Sequence, residues 1–177
     1  MVFLMKKLLA LSMFVVVNLL ATNAFSAPQC GGVEINREKP LGVATLNKLL
    51  WHVYDGEFWS DAKGWSMDSP HALHLKYFAD IESEDFVERS LEELKRNPKV
   101  DEKMLARFKS ELPPLMPNVV EGDSITAAYS PKTGLVFCHN GKQTGVMSDA
   151  NMAEAFLGIW LSANTTEPEM RKKLLNL

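Results

Sequence analysis

One stretch of the chain, residues 48–59, constrains the fold more than any other. Read with the two-residue period of a strand, it places aliphatic and aromatic side chains on both faces. One face carries Leu49, Trp51 and Val53, and the other carries Leu50, His52, Tyr54 and Phe58. Such a strand is typical of the centre of a sheet that is covered on both sides, and we expect it to form one wall of any pocket. Asp55-Gly56 interrupts it and predicts a bulge or bend, and a hairpin turn only if Phe58 and Trp59 pair back.

The first 26 residues have the layout of a secretory signal peptide. Two lysines precede an almost entirely apolar stretch, residues 8–20, and small residues follow it. Cleavage is predicted after Ser26, with Ala24 and Ala27 as alternatives. A membrane anchor is disfavoured because about a dozen apolar residues are fewer than the ~20 that span a bilayer. We therefore expect a periplasmic or secreted protein with no stable membrane anchor after cleavage, in which residues 27–177 form a single domain.

Charge and cysteine content narrow the possible functions. Removal of residues 1–26 takes away two lysines and changes the formal net charge from −3 to −5, which disfavours nucleic acid as a partner. Cys30 and Cys138 either form a disulfide or remain two free thiols, and their spacing matches no metal motif. His71 and His74 lie three residues apart on a predicted strand, hence on opposite faces. We expect no metal site and no cofactor.

The first half of the chain reads as strands followed by two helices. Residues 33–35 favour a short first strand, and residues 71–78 favour a second strand after the central one. Ser83 is the predicted N-cap of the first helix. Asp101 is the predicted N-cap of the second helix, which Pro113-Pro114 ends.

The second half reads as a three-stranded meander followed by two helices. Strand character covers residues 124–129, 135–139 and 142–147, and Asn140-Gly141 predicts a type I′ turn. Ser148 or Asp149 caps a helix that is apolar nearly all round and is therefore expected to be buried. Thr166-Glu167-Pro168-Glu169 has the form of a capping box that begins a short basic helix.

Four short strings accompany this order of elements. They are Trp51-His52-Val53-Tyr54-Asp55, Ser83-x-x-Phe86-Val87-Glu88-Arg89-Ser90, His139-Asn140-Gly141 and Ala155-Phe156-Leu157-Gly158-Ile159-Trp160-Leu161. From residue 42 to the end, the chain resembles the exported bacterial branch of the chalcone isomerase-like family. The resemblance implies an α+β fold in which helices pack on one face of a curved antiparallel sheet. It also implies a cleft between them for a flat or elongated apolar molecule.

The resemblance also indicates where a site would lie. In the plant isomerases an arginine precedes the cleft, a threonine and a tyrosine lie near the substrate ketone, and a lysine and an asparagine follow on a helix. Here residues 42–48 contain no arginine, while Tyr54 takes the threonine position and Phe86 the tyrosine position. Arg89 takes the lysine position and Glu93 the asparagine position. Ring closure needs hydrogen-bond donors where negative charge develops, and two of them are missing. Fatty-acid-binding relatives keep an arginine and a tyrosine, a pattern that this chain also lacks.

We therefore expect an exported, non-catalytic domain that binds a small lipophilic ligand or an envelope partner. The alternatives are an isomerase or lyase that uses His52, Tyr54 and Arg89, and a structural accessory whose cleft is only core. The candidate ligand-binding residues are His52, Tyr54, Tyr77, Phe86, Arg89 and Glu93. Each has a competing structural interpretation. In this interpretation His52 is a hydrogen-bonded core or rim histidine, and Arg89 and Glu93 form a helix-surface ion pair. The aromatic residues, Trp51 and Trp160 among them, are then plain core.

Overall fold

The computed structural model describes residues 26–177. Within this range the elements are β1 (Gly42–Lys48), β2 (Trp51–Ser60), β3 (His71–Tyr77), α1 (Ser83–Leu94), α2 (Glu102–Glu111), a 3₁₀ turn (Pro113–Leu115), β4 (Ser124–Ser130), β5 (Gly134–His139), β6 (Lys142–Met147), α3 (Ala150–Leu161) and α4 (Pro168–Leu175). Except for Ser26, the predicted signal peptide lies outside the described residues. Between residues 26 and 177, no helix is long and apolar enough to cross a membrane.

The six strands form one open antiparallel sheet, and each strand pairs with its neighbours in chain order. One face of this sheet shares a continuous apolar core with α1, α2, α3 and α4. This arrangement confirms the predicted α+β class with helices on one face. A meander of consecutive strands leaves β1 and β6 as the two edges, so β2 and β3 are interior strands.

Short-range signals account for several element boundaries. The Asp101 side chain accepts a hydrogen bond from Met104 N at the start of α2. Asp149, one of the two predicted caps, accepts from two backbone N–H groups at the start of α3. Asn140 and Gly141 have φ of 49° and 77° in the turn between β5 and β6, as a type I′ turn requires. Ser83 is the first residue of α1 rather than its cap, and its hydroxyl donates to the Met116 carbonyl.

The opposite face of the sheet is closed by the N-terminal segment. A disulfide joins Cys30 to Cys138 on β5, which decides between the two alternatives for these cysteines. A second buried cluster lies around it and consists of Ala27, Cys30, Val33, Trp59, Ala72, Ala128, Val136 and Cys138. The strand predicted over residues 33–35 is not formed. This segment contacts the sheet through apolar side chains instead of backbone pairing.

The central strand begins later than predicted, at Trp51. Leu49 and Leu50 form the turn between β1 and β2, where they are 97% and 99% exposed. Trp51 was expected to be covered but is 73% exposed. The prediction of a strand buried on both faces is therefore wrong at this end. It holds at the other end, where Phe58 packs under the helices and Trp59 joins the outer cluster.

Asp55-Gly56 is neither a bulge nor a turn. Thr45 pairs with Asp55 and Ala44 with Gly56 in regular order, and the register shift lies beyond them, opposite Val53. Gly56 serves packing instead, because a Cβ at this position would lie 3.0 Å from Met170 Cε on α4. The end of the Met170 side chain therefore packs directly on Gly56.

Candidate functional site

A cavity of about 540 Å³ lies between the β1–β3 end of the sheet and the helices above it. Its volume is within the range of roughly 300–1,000 Å³ found for small-molecule pockets. The apolar and aromatic part of the wall consists of Leu46, Val53, Tyr54, Tyr77, Ile81, Phe86, Ile159 and Trp160. The polar part consists of Lys48, Asp85, Arg89, Ser90, Glu93, Thr166 and Glu167.

Helix α1 supplies one wall of this cavity. Phe86, Arg89, Ser90 and Glu93 are spaced by three and four residues, so they share one face of the helix. All four line the cavity. Ser90 is buried and small, and its hydroxyl makes no hydrogen bond within the described residues. A larger side chain at this position would occupy the space that the cavity now holds.

Tyr54 on β2 is held in the wall by α3. Its hydroxyl accepts a hydrogen bond from Trp160 Nε1 at 2.8 Å and contacts Met170 Sδ at 3.9 Å. Burial raises the pKa of the Tyr54 phenol well above its ordinary value, and the hydrogen bond from Trp160 opposes this only in part. The phenol is therefore protonated at neutral pH and is a poor candidate for a general base.

Tyr77 on β3 packs against Tyr54 with its ring edge-on, at a centroid distance of 5.6 Å. Its hydroxyl is buried and has no hydrogen-bond partner among the described residues. The ring borders the cavity, while the hydroxyl itself is buried behind it. Burial raises the pKa of this phenol strongly, so it is a neutral donor. A buried donor without a partner costs about 1–3 kcal/mol.

The charged side chains of the wall are paired with one another. Arg89 Nη2 lies 2.7 Å from Glu93 Oε1, although no N–H bond of Arg89 is directed along this contact. The contact is therefore an ion pair without good hydrogen-bond geometry. The predicted pair is present, but the Glu93 side chain is only 8% exposed, so it is not a surface pair. Lys48 Nζ pairs with Glu167 at the solvent side.

The loop before α4 completes the wall. The Thr166 hydroxyl donates to Glu93 Oε2 at 3.0 Å. The predicted capping box is therefore not formed, because Thr166 contacts α1 and α4 begins at Pro168 without a side-chain cap. Glu167, the residue before the helix, turns instead to Lys48 of β1. These two contacts connect the loop to both sides of the cavity.

His52 lies outside this cavity. The register shift beside Val53 leaves His52 next to Asp55, with Nε2 at 2.9 Å from Asp55 Oδ1. The imidazole stacks on Phe78 at a centroid distance of 4.0 Å. Asp55 also accepts a hydrogen bond from Thr45 Oγ1, so the three polar side chains form a small network away from the wall. His52 therefore has the structural role that was its competing interpretation.

The remaining predicted residues come together. Five of the six candidates line the one cavity, namely Tyr54, Tyr77, Phe86, Arg89 and Glu93. Sequence reasoning missed Ser90, although its spacing from Phe86 indicates the same helix face. It also missed Lys48 and Glu167, which pair across the two sides of the cavity and have no local signal in the sequence. Whether the five residues bind a ligand remains a prediction.

Comparisons with known proteins concern the family and the fold of this chain. A family model described as chalcone isomerase-like matches residues 52–176. The crystal structure of an Arabidopsis thaliana fatty-acid-binding protein has a similar fold, with a TM-score of 0.60. The match covers 85% of this chain and 91% of the plant chain at 15% sequence identity, so it concerns the fold alone. A search of curated proteins gave no match. The extent of the family match means that this chain belongs to the chalcone isomerase-like family.

Proposed function

We propose that this protein is an exported, non-catalytic member of its family that holds one small lipophilic molecule in the cavity. The observation that carries the proposal is a largely apolar space of about 540 Å³ that is lined by the Tyr77 ring and by Ser90. An apolar pocket of this size leaves apolar surface in contact with water unless a ligand covers it. The similarity to a plant protein described as fatty-acid-binding is consistent with a lipophilic occupant.

The charges of the wall favour a neutral ligand over a carboxylate. Of the cations that line the cavity, Arg89 is paired with Glu93 and Lys48 with Glu167. A ligand carboxylate would therefore displace an existing partner or remain unpaired in an apolar space, and both are costly. Ser90 lines the cavity with a neutral hydroxyl side chain, which suits a carbonyl, ester, ether or hydroxyl oxygen. The expected ligand is thus an apolar molecule that carries an uncharged oxygen.

Three observations favour binding over catalysis. An isomerase that used His52, Tyr54 and Arg89 would need them around one substrate, but His52 lies outside the cavity. The raised pKa of Tyr54 keeps its phenol protonated. Arg89 already contacts the carboxylates of Glu92 and Glu93, which offset the charge that would steer an anionic nucleophile.

The ligand can be tested without knowing its identity. The protein is purified from an expressing cell, extracted with organic solvent, and the extract is analysed by mass spectrometry. Wild type should release one lipophilic species in near-stoichiometric amount, and Ser90→Phe, which fills the cavity, should release little. Ser110→Phe on the exposed side of α2 is the matched control and should release as much as wild type. A wild type that releases nothing, or a Ser90→Phe variant loaded like wild type, would contradict the proposal.

Export has a separate test. Cells that express the full chain are fractionated by osmotic shock, and the N-terminus of the recovered protein is determined. We expect the protein in the periplasmic or culture fraction with an N-terminus at residue 25, 27 or 28. A protein that stays in the cytoplasmic fraction with residues 1–26 attached would contradict export and leave the ligand proposal intact.

A further inference from the structure

The two most exposed large apolar side chains of the described residues, Leu49 and Leu50, are adjacent in the chain. Leu49 and Leu50 are 97% and 99% exposed, and Trp51 beside them is 73% exposed. We call these three residues the hairpin tip, because they form the turn between β1 and β2 and the first residue after it. The other exposed large apolar side chains in residues 26–177 are separated along the chain, and they are Val43, Val120, Val146 and Leu177.

Folding does not explain the composition of this tip. A two-residue hairpin turn favours glycine, asparagine or aspartate, because one or both of its residues need positive φ. Leu49 nevertheless adopts a φ of 54°, a conformation that costs a branched side chain roughly 1–2 kcal/mol. Neither leucine recovers this cost through packing, since both are almost fully exposed. The tip therefore combines an unfavourable turn with unfavourable hydration.

We propose that the hairpin tip inserts into the interfacial region of a lipid bilayer. A partner protein would need roughly 800 Å² of contact on each side for a stable interface, and a three-residue convex tip does not supply this area. A bilayer has no such requirement, because insertion strength follows the apolar area that enters it. Tryptophan also favours the membrane interface, where its ring is buried and its N–H remains hydrated.

The position of the tip relative to the cavity supports the same partner. Lys48 precedes Leu49 directly, lines the cavity and pairs with Glu167 at its solvent side. Leu46, on the same strand, also lines the cavity. A tip inserted in a bilayer would therefore bring this side of the cavity to the lipid surface. The insertion itself does not depend on a ligand and goes beyond the proposed function.

The charge of the protein predicts how this binding responds to salt. Lys48, the cation adjacent to the tip, is paired with Glu167, and the chain without its first 26 residues has a formal charge of −5. Attraction to anionic lipid is therefore not expected to drive the contact. Binding through apolar side chains persists at high ionic strength, because screening acts on charges alone.

Vesicle sedimentation tests the proposal. Purified protein is mixed with sucrose-loaded phosphatidylcholine vesicles, and wild type should co-sediment equally at 0.1 M and 1 M salt. A variant with Leu49→Ser, Leu50→Ser and Trp51→Ser should lower the partition coefficient about tenfold or more. Val120→Ser, which removes an exposed valine elsewhere, is the matched control and should bind like wild type. All proteins are compared with the same N-terminus, checked by mass spectrometry, because residues 8–20 are themselves apolar.

Fluorescence provides a second readout that the N-terminus does not affect. Brominated phosphatidylcholine should quench the emission of wild type, and Trp51→Phe should lose this quenching, since Trp59 and Trp160 are buried and Trp65 is partly buried against the core. Circular dichroism confirms that the variants are folded. A wild type that stays in the supernatant, a triple variant that sediments like wild type, or quenching that survives Trp51→Phe would overturn the proposal. Tip-dependent dimers without vesicle binding would overturn it in favour of a second copy of the chain.

Discussion

The two ends of the sheet pack against the same helix layer with different results. At the packed end, formed by β4–β6 and α3, Phe137 and Phe156 are buried with ring centroids 5.2 Å apart. At the cavity end, formed by β1–β3 and α1, Tyr54 and Tyr77 are also buried, at 5.6 Å. A cavity of about 540 Å³ lies beside the second pair. The burial of single side chains therefore does not distinguish a core from a site.

The helices explain the difference. Helix α3 buries apolar residues on nearly all sides, so it fills the space above β5 and β6. Helix α1 buries Val87 and Leu94 in the core, but toward the cavity it presents Arg89, Ser90 and Glu93 beside the single aromatic residue Phe86. A small hydroxyl and a paired carboxylate do not fill the volume that leucine would fill. The cavity is thus a consequence of the face that α1 turns inward.

The largest effect on the free energy of unfolding is expected from removing the disulfide. This bond fixes β5 of the packed end to the N-terminal segment. Replacement of both Cys30 and Cys138 by serine removes a link across 108 residues. The chain-entropy model predicts a loss of about 4–5 kcal/mol in the free energy of unfolding. Urea denaturation measures the loss, and the folded fraction should keep its ligand because the bond lies on the other face of the sheet. A loss below about 1 kcal/mol would contradict this role.

The next largest effect on the unfolding free energy is expected from removing a phenylalanine ring at each end of the sheet. Phe156→Ala removes a ring packed between Phe137 and Trp160 and should cost about 3–5 kcal/mol. Phe86→Ala removes a half-buried ring that already borders the cavity and should cost less than half as much. Paired urea denaturation curves measure both. Equal losses would mean that the cavity end is packed like the rest of the core.

A third effect lies at the start of β3, where His71 is buried between Phe58 and Tyr129. Burial lowers the pKa of His71 from 6.5 to about 4. Below pH 6.5 the unfolded chain takes up a proton that the folded chain takes up only near pH 4. Stability is therefore complete above pH 6.5 and should fall by about 3 kcal/mol as the pH drops to 4. His71→Asn should flatten the plot of unfolding free energy, measured by urea denaturation, against pH between pH 6.5 and 4. An unchanged slope would mean that His71 does not cause this loss of stability.

The smallest effect compares two tyrosines of the cavity end. Tyr77→Phe removes an unpartnered buried hydroxyl and should raise the unfolding free energy of the ligand-free protein by about 1 kcal/mol. Tyr54→Phe leaves Trp160 Nε1 without its acceptor. This substitution should lower the unfolding free energy by about 1–2 kcal/mol. Thermal unfolding of delipidated protein measures whether each substitution raises or lowers the stability. If Tyr77→Phe were as destabilising as Tyr54→Phe, the Tyr77 hydroxyl would have a partner after all.

The fold was predictable where local signals and tertiary packing agree. Asp101 and Asp149 mark helix starts through their own side chains, and Asn140-Gly141 sets a turn through its backbone preference. Prediction failed at Leu49 and Leu50, because two leucines in a turn contradict turn chemistry and read as strand. A sequence pattern of period two has no means to signal that an apolar residue is left in solvent.

The candidate site was predictable only in part, for a related reason. Helical spacing places Phe86, Arg89 and Glu93 on one face, and alternation places Tyr77 toward the helices. The register shift beside Val53 is not visible in the sequence, so His52 was assigned to the wall in error. Contacts between distant segments, such as Thr166 with Glu93, depend on tertiary structure alone.

Binding of a neutral probe to delipidated protein tests the central claim most directly. Titration with N-phenyl-1-naphthylamine should give a fluorescence increase that saturates at one probe per chain, and methyl palmitate should compete better than palmitate because no unpaired cation lines the cavity. Ser90→Phe should abolish the increase, while Ser110→Phe should retain it. Binding that is absent in wild type, or equally strong in Ser90→Phe, would contradict a ligand site in this cavity.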